Sequence, residues 1–99
     1  MLFALICHDG KDPGALDRRM AVRPGHIELI QALAAAGTIK YAGPFLDDED
    51  KMNGSLMVLD YPSEEALRAD YLSREPYATQ GVWETIEIRR FREADIWKK

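Results

Sequence analysis

Two side chains of this sequence have the chemistry of a general acid–base pair, Asp9 and His26. Asp9 follows the apolar segment Leu2–His8 and shares its odd-numbered face, whereas His26 lies one helical turn before Leu29 and Ile30. If that helix packs on that strand, the carboxylate orients the imidazole and raises its basicity, so that the pair can move protons. The alternative is a buried histidine with a structural hydrogen bond and an aspartate that only forms a turn.

A basic cluster precedes His26 along the same predicted helix, formed by Arg18, Arg19 and Arg23. Guanidinium groups bind carboxylates and other anionic oxygens in a fixed planar geometry. We therefore expect Arg23, together with Arg18, to hold an oxygen atom of a small anionic substrate. Arg19 is expected on the solvated face of the helix, paired with an acid such as Asp17.

Other polar side chains support fewer kinds of chemistry. The hydroxyls of Ser55 and Tyr77 can line a pocket, but neither lies in the sequence context of a nucleophile. A metal site formed by His8, Asp9 and His26 is not expected, because His8 points to the opposite face of the strand. The chain has no phosphate-binding or dinucleotide-binding glycine motif. We therefore predict no metal and no cofactor.

The order of apolar segments and turn residues predicts a β-α-β-β-α-β chain. Proline restricts the residue before it, so the first helical region is expected to kink or to divide into two helices at Arg23–Pro24. Ser63 is expected to cap the second helix. The predicted segments are a strand at Leu2–His8, helical residues 13–36, strands at Thr38–Phe45 and Gly54–Tyr61, a helix from Pro62 to Glu75 and a strand at Val82–Phe91.

Two of these strands, the first and the third, are apolar on both faces, which is typical of the central strands of a sheet. The prediction is an α+β, ferredoxin-like fold with a four-stranded antiparallel sheet. Right-handed crossovers place both helices on one face, so the other face of the sheet is an exposed apolar surface. We expect two chains to pair through these faces as a homodimer, a dimeric α+β barrel. A higher assembly of such dimers stays open.

Size and charge exclude several classes of protein. The 99 residues are 46% hydrophobic and 30% charged, which is typical of a single globular domain. A net charge of −4 argues against a nucleic-acid partner, whose phosphates need a basic surface. The apolar start at Met1–Cys7 is too short to span a membrane and lacks the features of a signal peptide, so we expect a cytoplasmic protein with no membrane partner. Cys7 is the single cysteine and is expected to be structural.

An ordered set of short motifs resembles the YCII-related (YciI-like) family. Each motif is weak alone, but together they follow the family's order through about the first nine-tenths of the chain. They are Leu2–Asp9, Arg19 with Arg23–Ile27, Ala42–Pro44, Gly54–Ser55, and Pro76–Tyr77 with Gly81–Val82. The resemblance implies a dimeric ferredoxin-like α+β barrel, related in fold to muconolactone isomerase. It also implies an aspartate–histidine pair in a pocket by the dimer interface, which falls here on Asp9 and His26.

The family resemblance does not supply a reaction, because most members have none assigned. One similar branch removes chloride from chlorinated hydroxyquinols without a metal or an organic cofactor. The chain also departs from the family's pattern at two places. Glu75 stands before Pro76–Tyr77 where an aspartate is usual, and a C-terminal extension, Arg92–Lys99, follows the usual end of the domain.

These observations favour a single domain, residues 1–99, that acts as a cofactor-independent enzyme on a small anionic or hydroxylated ring or enol compound. His26 and Asp9 are the predicted catalytic residues of an elimination (a dehydrochlorinase-like lyase) or an isomerisation. The alternative is a non-catalytic domain that binds a metabolite or serves assembly. The predicted substrate-binding residues are Arg23, Arg18, Gly43, Pro44, Ser55, Glu75 and Tyr77.

Overall fold

The computed structural model describes residues 1–97 and has the predicted β-α-β-β-α-β order. The last two residues of the predicted extension, Lys98 and Lys99, lie outside the described residues. A π-helical turn, Arg68–Leu72, continues the second helix directly. The elements are β1 (Leu2–Asp9), α1 (Ala15–Ala35), β2 (Ile39–Leu46), β3 (Met52–Asp60), α2 (Glu64–Leu67), α3 (Pro76–Thr79) and β4 (Trp83–Phe91).

The four strands form one antiparallel sheet in the order β2-β3-β1-β4, which confirms that the first and third strands are central. Leu5 of β1 lies opposite Met57 of β3 and Ile88 of β4. The odd-numbered side chains of β1 are buried under the helices, whereas Leu2, Ala4 and Ile6 on the other face are only half-buried. The alternation in β1 therefore separates a helix-covered face from an open face.

The hydrophobic core lies between the sheet and the helices. Burial of its large side chains from water is the main stabilising contribution that the fold has available. The largest fully buried side chains come from both layers and include Phe3, Leu5, Met57, Leu59, Leu67, Tyr71, Tyr77 and Val82.

The first helix, α1, is continuous through Pro24. Of the two alternatives predicted at Arg23–Pro24, a kink or a division into two helices, the division is therefore wrong. Proline removes one helical hydrogen bond, the one to the carbonyl of Met20 four residues earlier. Both Met20 and Pro24 lie on the exposed side of α1, where water can bind that carbonyl. Packing of the opposite side of α1 against the sheet then outweighs the local preference of Arg23.

The buried side of α1 carries a seven-residue repeat. Arg19, His26 and Leu33 are its buried residues, and seven residues make nearly two helical turns. The remaining sides of this 21-residue helix are exposed or half-buried. Neither α1 nor any other helix within residues 1–97 is long and apolar enough to cross a membrane.

The second helical region is more broken than predicted. The cap is confirmed, since the hydroxyl oxygen of Ser63 accepts a hydrogen bond from the Ala66 amide at 3.0 Å. The chain then passes through the π-helical turn and leaves helical geometry at Glu75, whose φ and ψ are −72° and 116°. Pro76 explains that exit, because a residue before proline is driven towards extended backbone. A further short helix, α3, begins there and was not predicted.

Close approach of β3 to β1 makes Gly54 a test of the sheet's packing. A Cβ atom at Gly54 would lie 2.5 Å from the Cys7 carbonyl oxygen and 3.0 Å from Phe45. We expect Gly54→Ala to lower the free energy of unfolding by about 1–3 kcal/mol, measured by chemical denaturation. Gly43→Ala is the matched control, because nothing lies within 4 Å of that Cβ position. Equal stability of the two variants would contradict this packing.

Candidate functional site

A cavity of about 220 Å³ opens between α1 and the strands β2 and β3. Its walls combine apolar side chains of α1 and β3 with a few polar ones, which is the usual composition of a small-molecule site. The cavity has room for a single substituted ring. It collects six of the sequence-predicted site residues: Arg23, His26, Gly43, Pro44, Ser55 and Tyr77.

The carboxylate that binds His26 is Glu75, not Asp9. The Nδ1 atom of His26 lies 2.7 Å from Oε1 of Glu75, and these side chains are 8% and 0% exposed. The predicted direct pairing of Asp9 with His26 is therefore wrong, because Asp9 is bound elsewhere. With Glu75 accepting the Nδ1 proton, the lone pair of a neutral His26 ring is on Nε2. His26 lines the cavity, and no described residue hydrogen-bonds its Nε2.

The Glu75 carboxylate is held from three directions. Its Oε2 accepts a hydrogen bond from the Tyr71 hydroxyl at 2.6 Å, and its Oε1 also accepts one from the Tyr77 amide at 3.0 Å. Burial and the nearby Glu75 charge raise the pKa of Tyr71, so the phenol stays protonated and donates. Glu75 thus caps α3 and orients His26 with one side chain.

Close packing of α1 on α3 brings these two groups together. A Cβ atom at Gly25 would lie 3.3 Å from Cγ of Pro76, so the absence of a side chain lets α3 approach the helix. Gly25 and Pro76 are the immediate neighbours of His26 and Glu75 in the sequence. Close packing at these neighbouring positions therefore helps to bring His26 and Glu75 within hydrogen-bond distance.

Asp9 forms a second buried ion pair, with Arg19. The Nη1 atom of Arg19 lies 3.0 and 3.1 Å from the two carboxylate oxygens of Asp9, and Nη2 donates to the Ser55 hydroxyl at 2.9 Å. Burial raises the pKa of Asp9, and the positive charge of Arg19 opposes that rise. The same Ser55 hydroxyl accepts a hydrogen bond from the Trp83 indole at 3.3 Å.

The expectation that Arg19 lies on a solvated helix face is wrong, since it is only 2% exposed. Arg19 shares the buried side of α1 with His26 and Leu33, which follow at intervals of seven. That spacing is a signal in the sequence that places Arg19 in phase with His26. Arginine is rarely buried unless it is paired, and here Asp9 provides the counter-charge.

The ring of Tyr77 contacts both buried pairs. It stacks on the His26 ring with centroids 3.9 Å apart and an interplanar angle of 18°. The guanidinium carbon of Arg19 lies 4.4 Å from the centre of the same ring, within the range of a cation–π contact. Trp83 packs edge-on at 5.7 Å. Tyr77 therefore joins the Asp9–Arg19 pair to the His26–Glu75 pair.

The two arginines predicted to bind substrate occupy different places. Arg23 is half-buried and lines the cavity, and it forms no ion pair with any residue in the described range 1–97. Arg18 lies outside this cavity at the surface, where both terminal nitrogens bind the Asp12 carboxylate at 2.7 and 2.8 Å. Arg23 is thus the cavity-lining guanidinium without a carboxylate partner.

Nothing in the described part of the chain favours a metal or a reactive thiol. No cluster of three or more histidine, cysteine, aspartate or glutamate side chains within residues 1–97 is arranged to hold a metal ion. Burial raises the pKa of Cys7 to about 12, so its sulfur is a neutral thiol packed in the core. The chemistry available at the cavity is that of imidazole, guanidinium and phenol.

Comparison with known proteins gives the family. The YCII-related domain model matches residues 1–92. The chain belongs to the YCII-related domain family. Protein YciI of Escherichia coli O6:H1 is 31% identical over 98 positions, with 93% of this chain and 97% of that protein covered. An uncharacterized protein of Haemophilus influenzae is 28% identical, with 81% and 87% covered.

Solved structures with the same fold include an enzyme whose activity is named. The 5-chloro-2-hydroxyhydroquinone dehydrochlorinase TftG of Burkholderia phenoliruptrix, in complex with 2,5-dihydroxybenzoquinone, has a TM-score of 0.80. It is 23% identical, with 95% of this chain and 96% of that one covered. Rv0793 of Mycobacterium tuberculosis has a TM-score of 0.56 at 16% identity, with 99% and 100% covered. At these identities the likeness establishes the fold.

The buried Asp9–Arg19 pair makes a direct prediction about stability. We expect Asp9→Asn to lower the free energy of unfolding by about 3–5 kcal/mol, because it leaves the Arg19 charge buried without its counter-charge. Asp12→Asn, which breaks the exposed Arg18–Asp12 pair, is the matched control and should cost much less, because water screens that pair. Chemical denaturation of both variants gives the comparison. Similar losses in the two variants would contradict the burial of the Asp9–Arg19 pair.

Proposed function

We propose that this protein is a cofactor-independent enzyme that moves a proton on a small anionic or hydroxylated ring or enol compound. The observation that carries the proposal is the His26–Glu75 hydrogen bond, which leaves Nε2 of His26 as the base on the cavity side. Arg23 lines the same cavity and has no ion-pair partner within residues 1–97, so its charge is available to a substrate.

In this mechanism Nε2 of His26 takes a proton from a carbon next to a carbonyl group. The electrons of the broken C–H bond form a carbon–carbon double bond, and the carbonyl oxygen gains negative charge. In an elimination the leaving group then departs with its bonding electrons, whereas in an isomerisation His26 returns the proton to a different carbon. The Glu75 carboxylate stabilises the imidazolium that forms in between.

The remaining site residues bind and position. Arg23 attracts an anionic oxygen of the substrate, and Ser55 of β3 lines the same cavity. Gly43 and Pro44 of β2 form a wall of backbone and ring atoms that leaves space for a planar ligand. Asp9 acts through Arg19, which it holds against the Tyr77 ring, and is therefore a positioning residue in this proposal.

The elimination is the favoured reaction type because the fold is shared with the TftG dehydrochlorinase over most of both chains. That enzyme's substrate, a chlorinated hydroxyhydroquinone, is a small hydroxylated ring of the size that this cavity admits. We propose the same class of compound for this chain.

The test is turnover of 5-chloro-2-hydroxyhydroquinone, followed by chloride release, and deuterium uptake from D2O by enolisable ring ketones, followed by NMR. We expect His26→Gln to lower kcat by about 10²–10⁴-fold, because it removes the proton acceptor. His8→Gln is the matched control, since His8 is the chain's other histidine and does not line this cavity. Circular dichroism and gel filtration check that fold and assembly are retained.

Equal turnover in the two histidine variants would remove His26 from the mechanism. Compounds that bind in the cavity without chloride release or deuterium uptake would instead favour the alternative function, a domain that holds a metabolite. In that case His26→Gln should change the dissociation constant and nothing else. The two functions are therefore separated by the same pair of variants.

We further propose that the protein is a homodimer that pairs through the open face of its sheet. Ile6 and Leu56 lie opposite each other on the central strands and are both half-buried. Tyr41 and Phe91 extend that apolar surface onto the edge strands and are 70% and 43% exposed. A second copy would cover the same residues from the other side, as a two-fold interface requires.

We expect the wild-type protein to elute as a dimer in gel filtration with light scattering. Leu56→Lys should shift it towards monomer, because a lysine at the centre of the open face would be buried without a counter-charge. Arg68→Ala is a control at an exposed helical position that lies away from the sheet. A wild-type monomer at micromolar concentration would contradict the interface.

A further inference from the structure

We infer that the hydroxyl group of Tyr77 donates a hydrogen bond to the substrate oxygen that gains negative charge when His26 removes the proton. This inference rests on the proposed function and adds a catalytic residue to it. It differs from the predicted role of Tyr77, which was substrate binding without a defined partner atom.

The first observation is a hydroxyl group without a partner. Tyr77 is 0% exposed, and its oxygen makes no hydrogen bond to any residue in the described range 1–97. Buried polar groups in folded proteins are nearly always hydrogen-bonded, because an unpaired one has lost its water without compensation. Tyrosine at this position therefore carries a cost that phenylalanine would not carry.

Packing does not explain the hydroxyl. The contacts of Tyr77 with His26, Arg19 and Trp83 all involve the face or edge of its ring, and phenylalanine would make the same contacts. The other two buried tyrosines of the core differ in this respect, because the hydroxyl of Tyr71 donates to Glu75 and that of Tyr61 donates to Asp70. Within residues 1–97, the fold supplies no hydrogen-bond partner for the Tyr77 hydroxyl.

The second observation is the position of Tyr77 relative to the base. Its ring is nearly parallel to the His26 imidazole at 3.9 Å, and both residues line the 220 Å³ cavity. A small ligand that presents a C–H bond to His26 therefore lies against the Tyr77 side chain. The Tyr77 hydroxyl is covered in the ligand-free protein, and in this inference the bound ligand uncovers it and presents an adjacent oxygen to it. This pairing of a base with a hydrogen-bond donor is what formation of an enolate requires.

The charges around the ring favour donation to an anion. Burial raises the pKa of Tyr77, so the phenol is protonated near neutral pH and available as a donor. The positive charges of Arg19 and Arg23 act against that rise, which makes the O–H group a stronger donor to a developing negative charge. Asp9 and Ser55 fix Arg19 in place, so this polarising charge does not have to be recruited by the ligand.

The substrate class follows from this arrangement. It is a small ring compound with an enolisable carbonyl group next to the carbon that loses its proton, such as the keto tautomer of a hydroxylated ring. A phenolate resembles the enolate form of such a compound in its charge and in its planar ring. Substituted phenols are therefore suitable probes of the site, even before a substrate is known.

The test combines two measurements on Tyr77→Phe, the dissociation constant for the 4-nitrophenolate ion and the thermal unfolding midpoint. We expect binding to weaken about 10–100-fold, the effect of losing one hydrogen bond to a charged group. We expect the unfolding midpoint of the ligand-free protein to stay the same or to rise, because an unpaired buried hydroxyl is removed.

Tyr61→Phe is the matched control. It also removes one tyrosine hydroxyl, but that hydroxyl donates to Asp70 at 2.6 Å and does not line the cavity. We expect its unfolding midpoint to fall and its affinity for 4-nitrophenolate to stay unchanged. The two variants should thus move the two measurements in opposite ways.

Two results would overturn the inference alone. The first is a dissociation constant for 4-nitrophenolate that is the same in Tyr77→Phe as in the wild-type protein. The second is a clearly lower unfolding midpoint in Tyr77→Phe, which would show that the hydroxyl has a structural partner. In both cases the proposed function would stand on His26 and Arg23. Failure of the wild-type protein to bind any phenolate would overturn the proposed substrate class and this inference together.

Discussion

The structure depends on the pairing of oppositely charged side chains inside a small hydrophobic core. Asp9, Arg19, His26 and Glu75 are all buried. A buried charge is tolerated only when it is paired and hydrogen-bonded. Here Asp9 of β1 pairs with Arg19 of α1, and His26 of α1 pairs with Glu75 at the start of α3. The helix α1, the strands and α3 are therefore fixed relative to one another by polar contacts as well as by apolar packing.

That constraint explains why the site lies where it does. The two buried pairs contact one aromatic ring, Tyr77, and the cavity opens beside that ring. A fold stabilised only by apolar side chains would have no reason to place an imidazole, two guanidinium groups and a phenol around one space. Polar groups cost stability when they are buried and unpaired. Within residues 1–97, the buried side-chain atoms without a hydrogen-bond partner are Nε of Arg19 and the hydroxyl oxygen of Tyr77, and both belong to this cluster.

Much of the fold could be predicted from alternation and from turn residues. The apolar character of both faces of β1 and β3 identified the central strands, and Ser63 marked the start of a helix. The continuity of α1 could not be predicted from local rules, because the penalty at Pro24 depends on whether the carbonyl it leaves unpaired reaches water. The partner of His26 could not be predicted either. Helix and strand phases show which side chains face the core, but the choice between Asp9 and Glu75 depends on how closely α3 approaches α1.

That approach has a consequence for how the sequence can vary. The distance between His26 and Glu75 depends on two quantities, the length of the acid at position 75 and the bulk of the residue at position 25, where Gly25 meets Pro76. A shorter acid would have to draw α3 inwards, whereas a larger residue at position 25 would push α3 outwards. Substitutions at positions 25 and 75 are therefore coupled, although these two residues are not hydrogen-bonded to each other. A design that alters the residue at one of these positions must accommodate the other.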